Sequence, residues 1–415
     1  MALSRRLAQA EQMADLSGTD HSTNRFLLLY ALAWAGASIS YIPFLTILLP
    51  VRVVDLVGQE QAVSWLSYIA FAGAMAASAG HIGFGYLSDI SRNRTVWIWA
   101  GLALSCVLLV AVSHADSLPR LIAAIICWQL SLNMMLAPLA AMAGDCVPDG
   151  RNGWLGGLMA FAPGLGALSG ALVTIPDLAG PDARLGMVAA MVILCVTPVL
   201  IASRRGPRLK LVDEPMPTNN VDTSAGSTKI WRGALLRMWL ARLTVQIGEA
   251  ALFAFLYIWF RSIDPAMTDN RTASVFSAVL ILSAPLALAI GGWADRRGRP
   301  LLPLVICAAV SAIGLIGMAL AESTPAAIGT YAVFGAASTI FLAQHSAQTL
   351  RVLPRADRRG RDLGLFNLTN TLPSLIMPWF ALILVPYAGF SSLFVLLAAL
   401  SAITGLLLAP IARDA

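Results

Sequence analysis

Charge is what this chain lacks. Only 12% of its 415 residues are Asp, Glu, Lys or Arg, whereas a soluble globular chain carries about 25%. Hydrophobic residues make up 58% and the mean hydropathy is +0.75. So little charge over such a length excludes a water-soluble enzyme, a disordered protein and a nucleic-acid binder. Cysteine is scarce as well. Cys106, Cys127, Cys146, Cys195 and Cys307 stand singly with no CxxC spacing, so neither a disulfide framework nor a zinc site is supported. Nor is there an HExxH, a GxSxG, a Walker lysine or a pair of catalytic carboxylates. No enzyme chemistry, no cofactor and no direct ATP coupling are expected. The first 24 residues lack the apolar core of a secretory signal peptide.

Apolar length is what the chain has in abundance. About 20 apolar residues cross a bilayer as a helix, and twelve such runs fit between residues 26 and 410. The expected fold class is an all-α membrane protein of twelve transmembrane helices. Residues 1–25 form an N-terminal segment, 26–202 a six-helix half, 203–233 a Pro-, Thr-, Asn- and Ser-rich linker, 234–410 a second six-helix half and 411–415 a tail. With the N-terminus placed inside, 22 of the 28 Lys and Arg residues fall on the cytoplasmic side and five opposite, with Arg242 within a span. That split predicts an inner-membrane protein with both termini cytoplasmic.

The halves repeat. Gly85-Tyr-Leu-Ser-Asp89 ends the second span and Gly291-Gly-Trp-Ala-Asp295 ends the eighth, 206 residues later. Pro148, in Asp145-Cys-Val-Pro-Asp-Gly-Arg151, and Pro354, after the tenth span, share that offset. Two unrelated landmarks with one offset argue for homologous halves. Parallel repeats of this kind build transporters whose substrate site lies near the midplane between them.

The stretch Gly291-Gly-Trp-Ala-Asp295-Arg296-Arg-Gly298-Arg299-Pro300 resembles the signature loop of the major facilitator superfamily, Gly-x-Leu-Ala-Asp-Arg-x-Gly-Arg-Lys. Gly85-Tyr-Leu-Ser-Asp89-Ile-Ser-Arg92-Asn-Arg94 resembles it too, without the second Gly and with its basic residues shifted. A looser resemblance, through Asn133…Pro138…Asp145-x-Val-Pro148-x-x-Arg151 and Arg361-Asp-Leu-Gly364-Leu-Phe-Asn367…Pro373, is to the sucrose- and glycoside-type proton symporters. The resemblance implies gating roles for Asp89, Arg92, Arg94, Asp145, Arg151, Asp295, Arg296 and Arg299. An Asp at a helix end can pair with an Arg across the half-interface, and a pair of modest strength suits a switch. The plainer alternative is that these are positive-inside anchors.

Ionisable groups inside a span are costly and invite a functional reading. Arg242, Gln246 and Glu249 in the seventh span lie on one helical face, with Glu249 roughly 20 Å deep and Arg242 roughly 10 Å. A carboxyl at that depth can take a proton from one side and release it to the other, with Arg242 beside it; His345 is a further proton-coupling candidate or, as the plainer alternative, a satisfied buried imidazole. Equally, Glu249 and Arg242 can form a structural pair. Gln129 and Asn133 in the fourth span, Gln344 and Gln348 in the tenth, and Asn367 and Asn370 in the eleventh can hydrogen-bond a solute or bridge helices. Trp34, Tyr41 and Trp128 offer rings for stacking. A single embedded carboxylate makes a proton a better coupling ion than sodium. The expected partners are therefore a small polar or amphipathic solute (sugar- or glycoside-like in the leading reading), protons and the lipid bilayer, with no nucleic acid, and the chain is expected to act as a monomer. A siderophore or peptide-like solute, or export of amphipathic compounds, is the runner-up.

Overall fold

The structure, a computed structural model, describes residues 24–146, 152–205, 225–352 and 359–414. Among these, ten helical segments are long and apolar enough to cross a membrane. Two of them hold two crossings each, which supplies the twelve. Helix α1, Asn24–Ser91, spans 68 residues and turns at Gly58, whose φ of +75° only glycine adopts without strain. The last helix, α11, Arg359–Asp414, turns in the same way at Gly389, where φ is +67°. A Cβ at either glycine would meet nothing, so backbone conformation and not crowding requires the residue.

Between them run α2 (Arg94–Ala111), α3 (Leu118–Cys146), α4 (Asn152–Met159), α5 (Ala162–Val173), α6 (Pro181–Arg205), α7 (Ala225–Ile263), α8 (Asp269–Arg297), α9 (Leu302–Ala319) and α10 (Thr324–Val352). The expected fifth span is broken into α4 and α5 just before Pro163, which has no N–H to continue the ladder and sits in the first turn of α5. Pro43 acts on the first crossing. After it, Phe44–Leu48 widens into a π-helical stretch, and the Thr46 hydroxyl donates to the Ile42 carbonyl at 2.7 Å. At the linker, α7 already begins at Ala225, ahead of the expected 234, and residues 206–224 lie outside the described residues.

Packing follows the repeat. The second crossing packs on the fourth, the third on the fourth and the third on the sixth; the eighth packs on the tenth, the ninth on the tenth and the ninth on the twelfth. Between the halves, α5 packs on α8 and α1 on both α7 and α11. Because each half crosses an even number of times, the chain's described ends lie at one face of the bundle. That face is called the near end here, and the opposite face the far end. Close approach relies on small residues, as it must where lipid offers no hydrophobic contrast. A Cβ on Gly101 would stand 2.3 Å from the Met135 nitrogen, so α2 and α3 touch backbone to backbone. Large apolar side chains such as Ile82, Leu194, Ile313 and Leu406 face outward, as a lipid-facing surface requires.

Candidate solute site

A cavity of about 400 Å³ lies between the halves, near the middle of the bundle. Four helices enclose it: both crossings of α1, together with α3, α7 and α11. Its wall is mostly aliphatic, with Leu45, Leu66, Ile69, Ile125 and Met377 among its members. Five of the polar or aromatic residues singled out in the sequence line it, namely Tyr41, Gln129, Gln246, Glu249 and Asn370. The rings of Tyr41 and Phe253 meet across the half-interface at 6.2 Å.

Asn370 organises the polar end. Its Oδ1 accepts from Gln246 Nε2 at 2.9 Å and from the Arg242 guanidinium at 3.2 Å. Arg242 also donates to the Ser346 hydroxyl at 2.8 Å. One turn beyond Gln246, Glu249 lies within hydrogen-bonding reach of the Ser338 hydroxyl on α10. Ser338, Phe253 and Ser374 were not singled out by sequence. Ser338 and Ser374 carry only hydroxyls, which are common in spans, and Phe253 reads as one more apolar residue.

Other candidates go elsewhere. His345 is fully buried, paired through Nε2 with the Met238 carbonyl at 2.9 Å and stacked on Phe341. Asn133 donates back to the Gln129 carbonyl and meets His81 at 3.3 Å, so it joins α1 to α3. Gln344 donates to the Ala287 carbonyl at 2.5 Å, and a Cβ on Gly291 would lie only 2.8 Å from its amide nitrogen. The first glycine of the signature stretch therefore makes room for Gln344. Gln348 is buried. Trp128 is buried edge-on against Phe44, and Trp34 is half-buried and stacked on Tyr30; neither lines the cavity. The side chains of Asn367 and Asp145, and all of Arg151, lie outside the described residues.

At the near end, the two signature loops share a backbone turn. Arg92 and Gly298, 206 residues apart, both close their helices in the left-handed conformation, at φ 50° and 64°. The first copy thus keeps the turn although an arginine replaces the glycine. Among the described residues, Asp89 pairs with Arg94 of its own loop at 2.9 Å, and not across the half-interface. Asp295, Arg296 and Arg299 are exposed on the second loop.

A pairing between the halves stands at the far end. Arg184, at the start of α6, meets Asp269, at the start of α8, at 2.5 Å, with side chains only 16% and 20% exposed. Beside them, the Asn270 amide donates to the Ala171 carbonyl at 2.8 Å and to the Thr174 hydroxyl at 3.3 Å. Gln59 adds a bond to the Ile258 carbonyl at 3.2 Å. An acidic residue beginning a helix reads in sequence as a helix-end charge, so nothing in the spacing pointed to this contact.

The Major Facilitator Superfamily model matches residues 238–414. By sequence over its C-terminal part, and by fold along nearly its whole length, the chain resembles the major facilitators. It is similar to a bacterial homologue of the human lysosomal transporter Spinster in an inward-facing, unoccupied conformation, at 13% identity over 94% of this chain and 96% of that one, with a TM-score of 0.66. A POT family transporter in complex with a thioalcohol-conjugated peptide gives 14% identity, the same coverage and a TM-score of 0.71. The nucleoside transporter NupG gives 12% over 93% and 99%, with a TM-score of 0.66. No curated protein matches. Each of these neighbours is described as a transporter, and at this identity the likeness to them is one of fold.

Proposed function

We propose that this chain is a proton-coupled secondary transporter of the major facilitator type that carries a small amphipathic solute across the inner membrane, both termini cytoplasmic, by alternating access. One observation carries the reading: among the described residues, the only formal charge on the wall of a cavity shared by both halves is Glu249. A carboxyl there can exchange a proton with whichever side the cavity faces. The Arg184–Asp269 pair and its neighbours act as a latch that holds the far end shut. Modest bonds of this kind are what an alternating device must break and remake. The loops bearing Asp89, Arg92, Arg94, Asp295, Arg296 and Arg299 serve the near-end closure in the opposite state.

The aliphatic wall bears on solute class. Sugars need many hydrogen bonds, and the amides of Asn133 and Gln344 are spent on helix packing. An amphipathic solute fits such a wall better than the glycoside suggested by resemblance. Gln129, Gln246 and Asn370 then orient its polar group, and the aliphatic wall covers its apolar body.

The test is proton movement in proteoliposomes with a trapped pH-sensitive dye, for wild type and Glu249→Gln, with pooled amphipathic, sugar and peptide solutes added outside. Solute-dependent proton movement that disappears in the variant supports the reading; inward movement marks symport and outward movement exchange. A signal that survives the substitution removes Glu249 from the coupling.

A further inference from the structure

We infer that the cavity selects solutes carrying a protonated amine on an apolar body, with Gln246 Oε1 and Glu249 as the two acceptors that hold the ammonium. The inference rests on the reading of the cavity as the solute site and names the class of cargo. Its first support is the fixed orientation of the amides. Asn370 receives a guanidinium N–H from Arg242, which can only donate, so the Asn370 atom facing it is the carbonyl oxygen. The same oxygen faces Gln246, so Gln246 must present its NH₂ there. Its Oε1 is thereby left over. It is buried and has no hydrogen-bond partner among the described residues. A buried acceptor without a donor is costly, and an N–H from a solute relieves that cost.

The second support is charge. Glu249 stands three residues on, over the same face of α7, and no basic side chain lines the cavity among the described residues. Arg242 directs its nitrogens to Ser346 and Asn370. Two acceptors one turn apart, one of them a carboxylate, suit an ammonium with several N–H donors. They repel a solute carboxylate. The third support is the ring pair. Tyr41 and Phe253, the latter one turn beyond Glu249, present π-faces that attract a cation in a dry site. The remaining wall is aliphatic and accepts the apolar body.

Four other groups bear on the Glu249 carboxylate: Arg242 from its own helix, Tyr331 and Ser338 from α10, and Tyr41 from the opposite wall. None supplies a second negative charge at neutral pH. Ammonium and proton therefore take turns on Glu249, which gives the coupling the sense of exchange and not the symport expected from sequence.

Three probes with one body and different heads test the assignment: 4-phenylbutylamine, 4-phenylbutanol and 4-phenylbutyrate. Their binding to the full-length protein in detergent is measured by calorimetry for wild type, Glu249→Gln and Gln246→Leu. The amine is expected to bind best, and each substitution to weaken it by about tenfold or more while moving the alcohol little. Gel filtration and circular dichroism establish that the variants fold, and the two substitutions stand independently if one does not. Equal binding of alcohol or carboxylate, no binding of the amine, or an amine affinity unmoved by both substitutions overturns the inference. The proton measurement separates the two failures. A protein that moves protons with a sugar through Glu249 and ignores the amine refutes the cargo class alone. One that binds the amine but shows no Glu249-dependent proton movement refutes the coupling alone.

Discussion

Asn370 turns one carbonyl oxygen to two donors at once, and through them it holds the polar end of the cavity. Asn370→Val strands the Arg242 and Gln246 donors. The expected loss is about 1–3 kcal/mol, read as a lowered melting temperature in detergent, with Asn370→Asp recovering most of it because acceptors remain. A second residue-scale prediction lies outside the membrane. The Thr324 hydroxyl and the Ala266 N–H hold the Asp264 carboxyl below the usual carboxylate range. A depressed folded-state value means the ionised form is favoured by folding, so its stabilisation is present at neutral pH and fades as pH falls through that value. Thr324→Val is therefore expected to lower the melting temperature at pH 7, with the gap closing in acid. A gap that stays constant down to acid pH counts against the bond.

Helical spacing made part of this site legible and left part of it hidden. Offsets of four and seven placed Arg242, Gln246 and Glu249 on one face, and the fold brings two of them to the cavity wall with the third bonded just behind. Gln129 and Asn133 satisfy the same offset, yet the first lines the cavity while the second turns to His81. Spacing says which residues share a face, not how a side chain turns at its end. His345 shows the same limit, since its carbonyl partner Met238 lies 107 residues away.

At the scale of the helix, the two signature turns differ in one residue. Arg92 pays the strain of a left-handed conformation that Gly298 adopts freely. Arg92→Gly is expected to stabilise the protein by about 1 kcal/mol, seen as a higher melting temperature. An unchanged or lower value means the arginine makes compensating contacts. Gly101 gives the opposite case. A side chain there drives into the Met134–Met135 backbone, so Gly101→Val should cost about 1–3 kcal/mol or separate α2 from α3. The helices and their twelvefold count were legible because a bilayer demands unbroken apolar length. At Pro163 and after Pro43 the sequence offers only a residue without an N–H, and the form of each break depends on neighbours that sequence does not place.

For the whole molecule, the proposed cycle makes the Arg184–Asp269 pair a latch that biases which way the cavity faces. Hydrogen bonds to charged groups are worth about 1.5–3 kcal/mol, enough to bias the halves and still break in each cycle. The repeat, visible as one offset of 206 residues, foretold two similar bodies, but not that a charged pair would join them at the far end. Spin labels at Leu178 and Ala266 report the far end, and labels at Ile90 and Arg297 the near end, on a background without the five native cysteines. The deciding measurement is the pair of distance distributions for the parent and for Asp269→Asn. The account predicts that the substitution adds a longer far-end population together with a shorter near-end one, as two bodies rocking about a central site require. Far-end and near-end distributions that both stay unchanged, or that lengthen together, would contradict it.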